Sequence, residues 1–258
     1  MKVFDGSVID DLAGATTAIV DVGVTGLWSG PNAPRSVDAP LTADAPDHDR
    51  WLDSLDAAPA REDSRHGLYG RYDSEVLRGE PVVIAERGPD GWSRVICPWQ
   101  PSHKDSTGYP GYVRTAHLRE VGGVPTDEPA TDRAFSREAL LAEARRHIGL
   151  AYLWGGISPA GLDCSGLVHY ACRTLGLLVP RDAGDQYLAC DDIPVEDAEP
   201  GDLYFFAHPD KPIHHVGIAT GGGRLLHAPS TGQVVVEEEI PEARLRTLVA
   251  AGRIKPLR

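Results

Sequence analysis

The stretch Gly161-Leu162-Asp163-Cys164-Ser165-Gly166-Leu167-Val168 decides how this chain is read. It is a loop that turns into a helix with a cysteine in the first helical turn. Asp163 stands at the N-cap, where its side chain can accept from backbone N–H groups that have no intrahelical partner. Leu167, Val168, Ala171 and Leu175 follow at a period near 3.6, which predicts an amphipathic helix. Cys164 then sits at the positive end of the helix dipole, a place that draws a thiol pKa from about 8.5 toward the ~3.5–7.5 range. The competing reading is a small buried hydrophobe in an apolar helix.

Two downstream segments favour a reactive thiol. Ile213-His214-His215-Val216-Gly217-Ile218-Ala219 alternates apolar and polar residues and predicts a strand carrying a histidine. Leu225-Leu226-His227-Ala228 predicts the next strand, after the turn Gly221-Gly222-Gly223. Neighbouring antiparallel strands bring His215 and His227 side by side on one face. Packed on the Cys164 helix, they supply a nucleophile, a base and an orienter of the base. The bland alternative for His227 is a satisfied histidine beneath a glycine turn.

These blocks resemble the NlpC family of bacterial cell-wall cysteine peptidases. The resemblance rests on Tyr152-Leu153-Trp154-Gly155-Gly156, Leu162 to Val168, Pro180-Arg181-Asp182-Ala183, Pro200-Gly201-Asp202-Leu203-Tyr204-Phe205-Phe206, His215-Val216-Gly217-Ile218 and Leu226-His227-Ala228. It covers roughly residues 135–240 and implies a papain-like catalytic domain, a nucleophile helix packed on an antiparallel sheet. Upstream, Leu77 to Ile84, Gly91-Trp92-Ser93-Arg94-Val95 and Gly108-Tyr109-Pro110-Gly111-Tyr112-Val113 resemble the bacterial SH3-like domain of one branch, the γ-D-glutamyl-L-diamino acid endopeptidases. That branch often has two such domains, and this chain has room for one.

The resemblance implies roles residue by residue. Cys164 is the nucleophile, His215 the base and His227 its orienter. His214 is the rival base, but strand alternation turns it to the opposite face, and His215 matches the family position. Tyr152 matches a tyrosine beside the nucleophile, whose hydroxyl would help hold an oxyanion, or it is an aromatic filling core. Asp182 matches an aspartate that binds the free α-amino group of the substrate's L-alanine; the alternative is a surface ion pair with Arg181. Ala183 stands where the family often has serine. Asp163 and Ser165, on either side of the cysteine, are assigned to substrate binding with Asp182. Tyr109 and Glu75 would reach over from the SH3-like domain to close the amino end of the cleft, with Glu80 competing for the place of Glu75.

Composition bounds the partners. A chain of 258 residues, 41% hydrophobic, predicts one or two folded domains. A formal net charge of −13 argues against nucleic acid and anionic membranes, which call for clustered Lys and Arg. The acidity itself reads as solubility. Met1 to Ile19, with Asp5, Asp10 and Asp11, shows no signal-peptide pattern, and no apolar run approaches the ~18 residues of a membrane span. Cys97, Cys164, Cys172 and Cys190 show no C-x-x-C spacing, which fits free thiols in a cytoplasm. No metal is expected: His214, His215, His227 and Asp182 are zinc-type ligands, but adjacent strand histidines cannot face one ion. No cofactor is expected either, and no nucleotide, because the triple glycine lacks the flanking residues of a phosphate cradle.

The layout along the chain is α+β. Residues 1–121 form the SH3-like barrel with a Pro/Ala/Asp-rich insertion over 30–49; 122–134 form a linker; 135–258 form the peptidase domain. A first strand is expected over Ala18 to Val24 and one or two helical turns around Trp51, Leu52 and Leu55. Ser136 reads as an N-cap, with Leu140, Leu141, Ala144 and Ile148 buried and Gly149 as the stop. Strands are expected over 203–206, 215–220, 225–228 and 233–237.

The function expected from all this is a cysteine endopeptidase. It would cut the γ-D-glutamyl–diamino acid bond of short murein peptides with a free N-terminal L-alanine, inside the cell, during wall-peptide recycling. An amidase or acyltransferase on the same thiol scaffold, or a non-catalytic wall-binding protein, are the alternatives.

Overall fold

A computed structural model describes residues 16–88, 90–122 and 134–255. The expected linker lies almost wholly outside the described residues, as does most of the N-terminal stretch read for export signals. Two compact units emerge. One holds the described residues up to 122 together with Leu153–Ala160; the other holds residues 134–152 and 161–255.

The N-terminal unit is a seven-stranded antiparallel sheet consistent with a small SH3-like domain. Its strands are β1 (Thr16–Val20), β2 (Val24–Trp28), β3 (Tyr72–Leu77), β4 (Pro81–Arg87), β5 (Trp92–Cys97), β6 (Tyr109–Arg114) and β7 (Leu118–Val121), in the order β3-β2-β6-β5-β4-β1-β7. The single strand expected over Ala18 to Val24 is two, broken at Asp21-Val22-Gly23. The insertion between β2 and β3 folds into α1 (Ala39–Thr42) and α2 (His48–Ala57). Asp47 caps α2 by accepting from the Arg50 N–H, and Trp51, Leu52 and Leu55 form its buried face. They join Trp28, Tyr72, Trp92 and Leu153 in one core, while Ala18, Leu27, Val76, Val95, Tyr109 and Val113 fill another. Burying such side chains stabilises by roughly 1.5–3 kcal/mol each. Leu153–Ala160, with the two-residue strand β8 (Ile157–Ser158), belongs to this unit despite its place in the chain.

The second unit begins with α3 (Arg137–Arg145). Ser136 caps it, accepting from the Ala139 N–H at 3.1 Å. Leu140, Leu141 and Ala144 are buried, but the helix stops before Ile148, which is half exposed at 49%. The two-residue strand β9 (Gly161–Leu162) leads into α4 (Cys164–Thr174), followed by α5 (Ala183–Ala189). Then come β10 (Asp191–Ile193), β11 (Leu203–Phe206), β12 (His215–Gly221), β13 (Arg224–His227), β14 (Val236–Glu239), α6 (Glu242–Leu245) and β15 (Leu248–Arg253). The six strands form one antiparallel sheet ordered β10-β15-β11-β12-β13-β14, and α4 packs on β12. β14 starts three residues later than the sequence suggests, and β15, unanticipated, enters the sheet between β10 and β11.

Candidate active site

The site is built where α4 begins and β12 and β13 lie side by side. Asp163 caps α4 as its sequence position requires: Oδ1 accepts from the Gly166 N–H at 2.6 Å. The same carboxylate is held by a buried guanidinium. Arg181 is 1% exposed and donates to Asp163 Oδ2 at 2.7 Å and to Oδ1 at 3.1 Å. Arg181 also donates to Ser165 Oγ at 3.0 Å, and Ser165 Oγ donates to Asp163 Oδ1. Arg181 is thus an interior residue tied to the helix start. Asp163 and Ser165, expected to bind substrate, are joined with Arg181 in this cluster, which locks the first turn around Cys164.

Cys164 is 9% exposed. Burial pushes its thiol up to about 12, the Asp163 carboxylate adds to the rise, and backbone N–H groups of Val216 and Ser165 oppose it. The depressed pKa expected from the helix dipole is therefore overturned. Desolvation of a thiolate outweighs a terminal dipole whose effect is at most about 2 kcal/mol. The Val216 contact sets the sulfur beside the residue that follows His215. Tyr152, bridged to Leu162 and donating its N–H to the Gln233 carbonyl, is buried next to Cys164 and Asp163. Burial first, then those two groups, raises its phenol far above the usual range, so the hydroxyl stays a donor.

His215 and His227 meet as the strand reading requires. Nε2 of His215 lies 2.9 Å from Nδ1 of His227, with the rings edge to face. The register pairs Ile218 with Leu226; continued, it sets Gly217 opposite His227 and makes His215 its diagonal neighbour. Gly217 is what permits the contact, because a Cβ there would stand 2.1 Å from Leu225 Cδ1 and 3.0 Å from His227 Cβ. His214 is exposed and stacks on His208.

The chain of contacts continues to a residue the sequence reading missed. Nε2 of His227 lies 3.1 Å from Glu238 Oε1. An ionised carboxylate only accepts, so His227 carries its proton on Nε2 and offers the Nδ1 lone pair to His215. His215 then donates from Nε2, and its Nδ1 is the nitrogen left to take a proton. Burial, and then the charge of Arg244, hold His215 well below the usual histidine range. Burial holds His227 to about 4, opposed by Glu238. The site therefore pairs a neutral thiol with neutral imidazoles, a general base poised to accept a proton as the sulfur attacks.

Asp182 is half-buried at the start of α5, at the N-cap position but making no cap bond, and Ala183 behind it is buried. Tyr109, expected to help close the amino end of the cleft, opens β6 and is 2% exposed in the N-terminal core, touched by Lys104. Glu75 is fully buried: its carboxylate accepts from the Ile157 N–H at 2.9 Å and lies 2.8 Å from His48 Nε2. It fastens Leu153–Ala160 within its own unit. Glu80 is equally buried, accepting from the Leu77 N–H at 2.9 Å to close the β3–β4 turn.

The chain is similar to known proteins. The model of the NlpC/P60 family matches residues 149–250. A γ-D-glutamyl-L-lysine dipeptidyl-peptidase of Bacillus subtilis (strain 168) is 30% identical, over 82% of this chain and 90% of its own length. The chain belongs to the NlpC/P60 family. A second protein of that name, from Bacillus cereus, is 24% identical over 82% of the chain and 83% of its own length. The fold agrees: the crystal structure of an NlpC/P60 family protein from Bacillus cereus ATCC 10987 superposes with a TM-score of 0.83, covering 93% of this chain and all of the other, at 22% identity. As an NlpC/P60 protein, the chain is a cysteine peptidase directed at cell-wall peptides, with a papain-like catalytic fold.

Proposed function

We propose that this NlpC/P60 peptidase hydrolyses the γ-D-glutamyl–L-diamino acid bond of short murein peptides that begin with a free L-alanine. The observation that carries the reading is the ordered chain Glu238–His227–His215 beside the first turn of α4, which leaves one imidazole nitrogen to serve the Cys164 thiol. The names of the two Bacillus relatives supply the class of bond.

In this reading Cys164 Sγ attacks the γ-carbonyl as His215 Nδ1 takes the thiol proton. The oxyanion is held by the Cys164 N–H and the Tyr152 hydroxyl, donors fixed before the reaction begins. The imidazolium of His215 protonates the leaving amine, and water hydrolyses the thioester with His215 again as base. Asp182 binds the ammonium of L-alanine. The enzyme works on released wall fragments in the cytoplasm, a setting that accords with its four free cysteines.

The test is incubation with L-Ala-γ-D-Glu-L-Lys and with L-Ala-γ-D-Glu-meso-diaminopimelate, followed by mass spectrometry. Release of L-Ala-D-Glu, lost in Cys164→Ala, is the expected result. No dipeptide from either substrate overturns the reading.

A further inference from the structure

Arg244 is the third residue of α6, a helix that follows β14 and has no counterpart in the sequence-based site. Two anchors hold its guanidinium at the histidine pair. Its Cζ lies 5.9 Å over the ring of Phe206, and that ring lies 5.4 Å from the ring of His215. Its Nη2 donates to the Pro229 carbonyl at 3.0 Å, two residues after His227.

The charged groups that face it complete the picture. Arg244 senses Cys164, Glu238 and Tyr152, and its own charge bears on His214, His215 and His227. Among the described residues it makes no ion pair. Other arginines of the same unit differ in this: Arg181 pairs with Asp163, Arg145 with Glu237, Arg246 with Glu242 and Arg253 with Asp202. A half-buried guanidinium carries a desolvation cost that an anionic partner offsets, and its planar fork suits a carboxylate. A cation set over the ring that packs on His215, with one backbone carbonyl as its hydrogen-bond acceptor, is arranged for an anion that arrives with the substrate.

We propose that Arg244 binds a substrate carboxylate that flanks the scissile amide. This rests on the peptide reading above, in which the γ-linkage leaves two such groups. One is the α-carboxylate of D-glutamate on the acyl side, the other the α-carboxylate of a C-terminal diamino acid on the leaving side. Both present the same chemistry to a guanidinium, and either would fix the amide over Cys164.

Three peptides separate the sources: L-Ala-γ-D-Glu-L-Lys, the same peptide with the D-glutamate carboxylate converted to the amide, and the same peptide with the C-terminal carboxylate converted to the amide. The full chain and its Arg244→Gln and Arg244→Lys variants are assayed on all three. Wild type should lose roughly 10- to 100-fold in kcat/KM on one of the two amidated peptides, the cost of exchanging a charge-assisted bond for a neutral one. The Gln variant should treat the parent and that peptide alike, and the Lys variant should keep part of the preference. Equal wild-type rates on all three peptides overturn the proposal. So does a uniform fall in the Gln variant with the preference intact, which would make Arg244 an electrostatic neighbour of the histidines. If wild type cleaves none of the three, the peptide reading has failed and the proposal falls with it.

Discussion

His227 leans across Gly217 to reach His215, Nδ1 to Nε2 at 2.9 Å, and its far nitrogen ends on Glu238 at 3.1 Å. The relay thus has three members, and a carboxylate at its outer end sets the tautomer of both imidazoles.

Glu238→Gln should lower kcat and leave KM nearly unchanged. The amide oxygen can still accept from His227, so what is lost is the charge: about 1 kcal/mol, or roughly fivefold in rate. Steady-state kinetics on L-Ala-γ-D-Glu-L-Lys checks this. An unchanged kcat would mean the 3.1 Å contact does not act on the base.

Gly217→Ala should damage both fold and catalysis. The added methyl meets Leu225 and the Cβ of His227, and such overpacking costs about 1–3 kcal/mol. Relief comes most easily by moving His227 away from His215. A lower melting temperature with a fall in kcat larger than that of Glu238→Gln is the expected outcome.

Arg181→Met should be strongly destabilising. It strands the Asp163 carboxylate, 6% exposed, without its buried partner, and breaking such a pair costs about 3–5 kcal/mol. Urea unfolding at neutral pH measures it. Arg181→Lys should recover part of the loss, since an ammonium cannot hold both carboxylate oxygens and Ser165 together.

Tyr109→Ala should act on stability, not on substrate affinity. The ring fills the core of the N-terminal unit, and emptying an aromatic site costs about 3–5 kcal/mol. Thermal melting should drop, while KM of the remaining folded enzyme stays at the wild-type value.

Acid should weaken the enzyme from about pH 6.5 downward. His169, wholly buried and held to about 3, and His227, held to about 4, are both lowered first by desolvation, and burial lowers His215 likewise. The unfolded chain therefore binds more protons than the folded one between those values and 6.5, so stability rises with pH across this window. It is fully present above the unfolded value and lost as pH falls through the folded ones. Urea midpoints at pH 7.5 and pH 5 should differ in that sense. The acid limb of kcat/KM should lie well below 6.5, because His215 must be neutral to accept the thiol proton.

The sequence by itself determined the features that depend on near neighbours. The Asp163 cap, the apolar stripe of α4, the Ser136 cap, the glycine turn after β12 and the shared face of His215 and His227 all arise within a few residues, or from the two-residue alternation of paired strands. They were legible because period and capping are local chemistry. Tertiary structure decided what distance in the chain conceals. Which glutamate of Glu237-Glu238-Glu239 meets His227 follows from the β13–β14 register, which pairs Leu225 with Glu238 and so sets that residue on the histidine's face. Arg181 and Arg244 reach Asp163 and His215 across 18 and 29 residues, and no local pattern marks them. The burial of Tyr109 and Glu75 in the N-terminal unit likewise comes from partners far away in the chain. The thiol of Cys164 shows the division most plainly: its place at a positive helix end is local, whereas the burial that raises its pKa comes from the strands folded over it, and the desolvation cost exceeds the dipole.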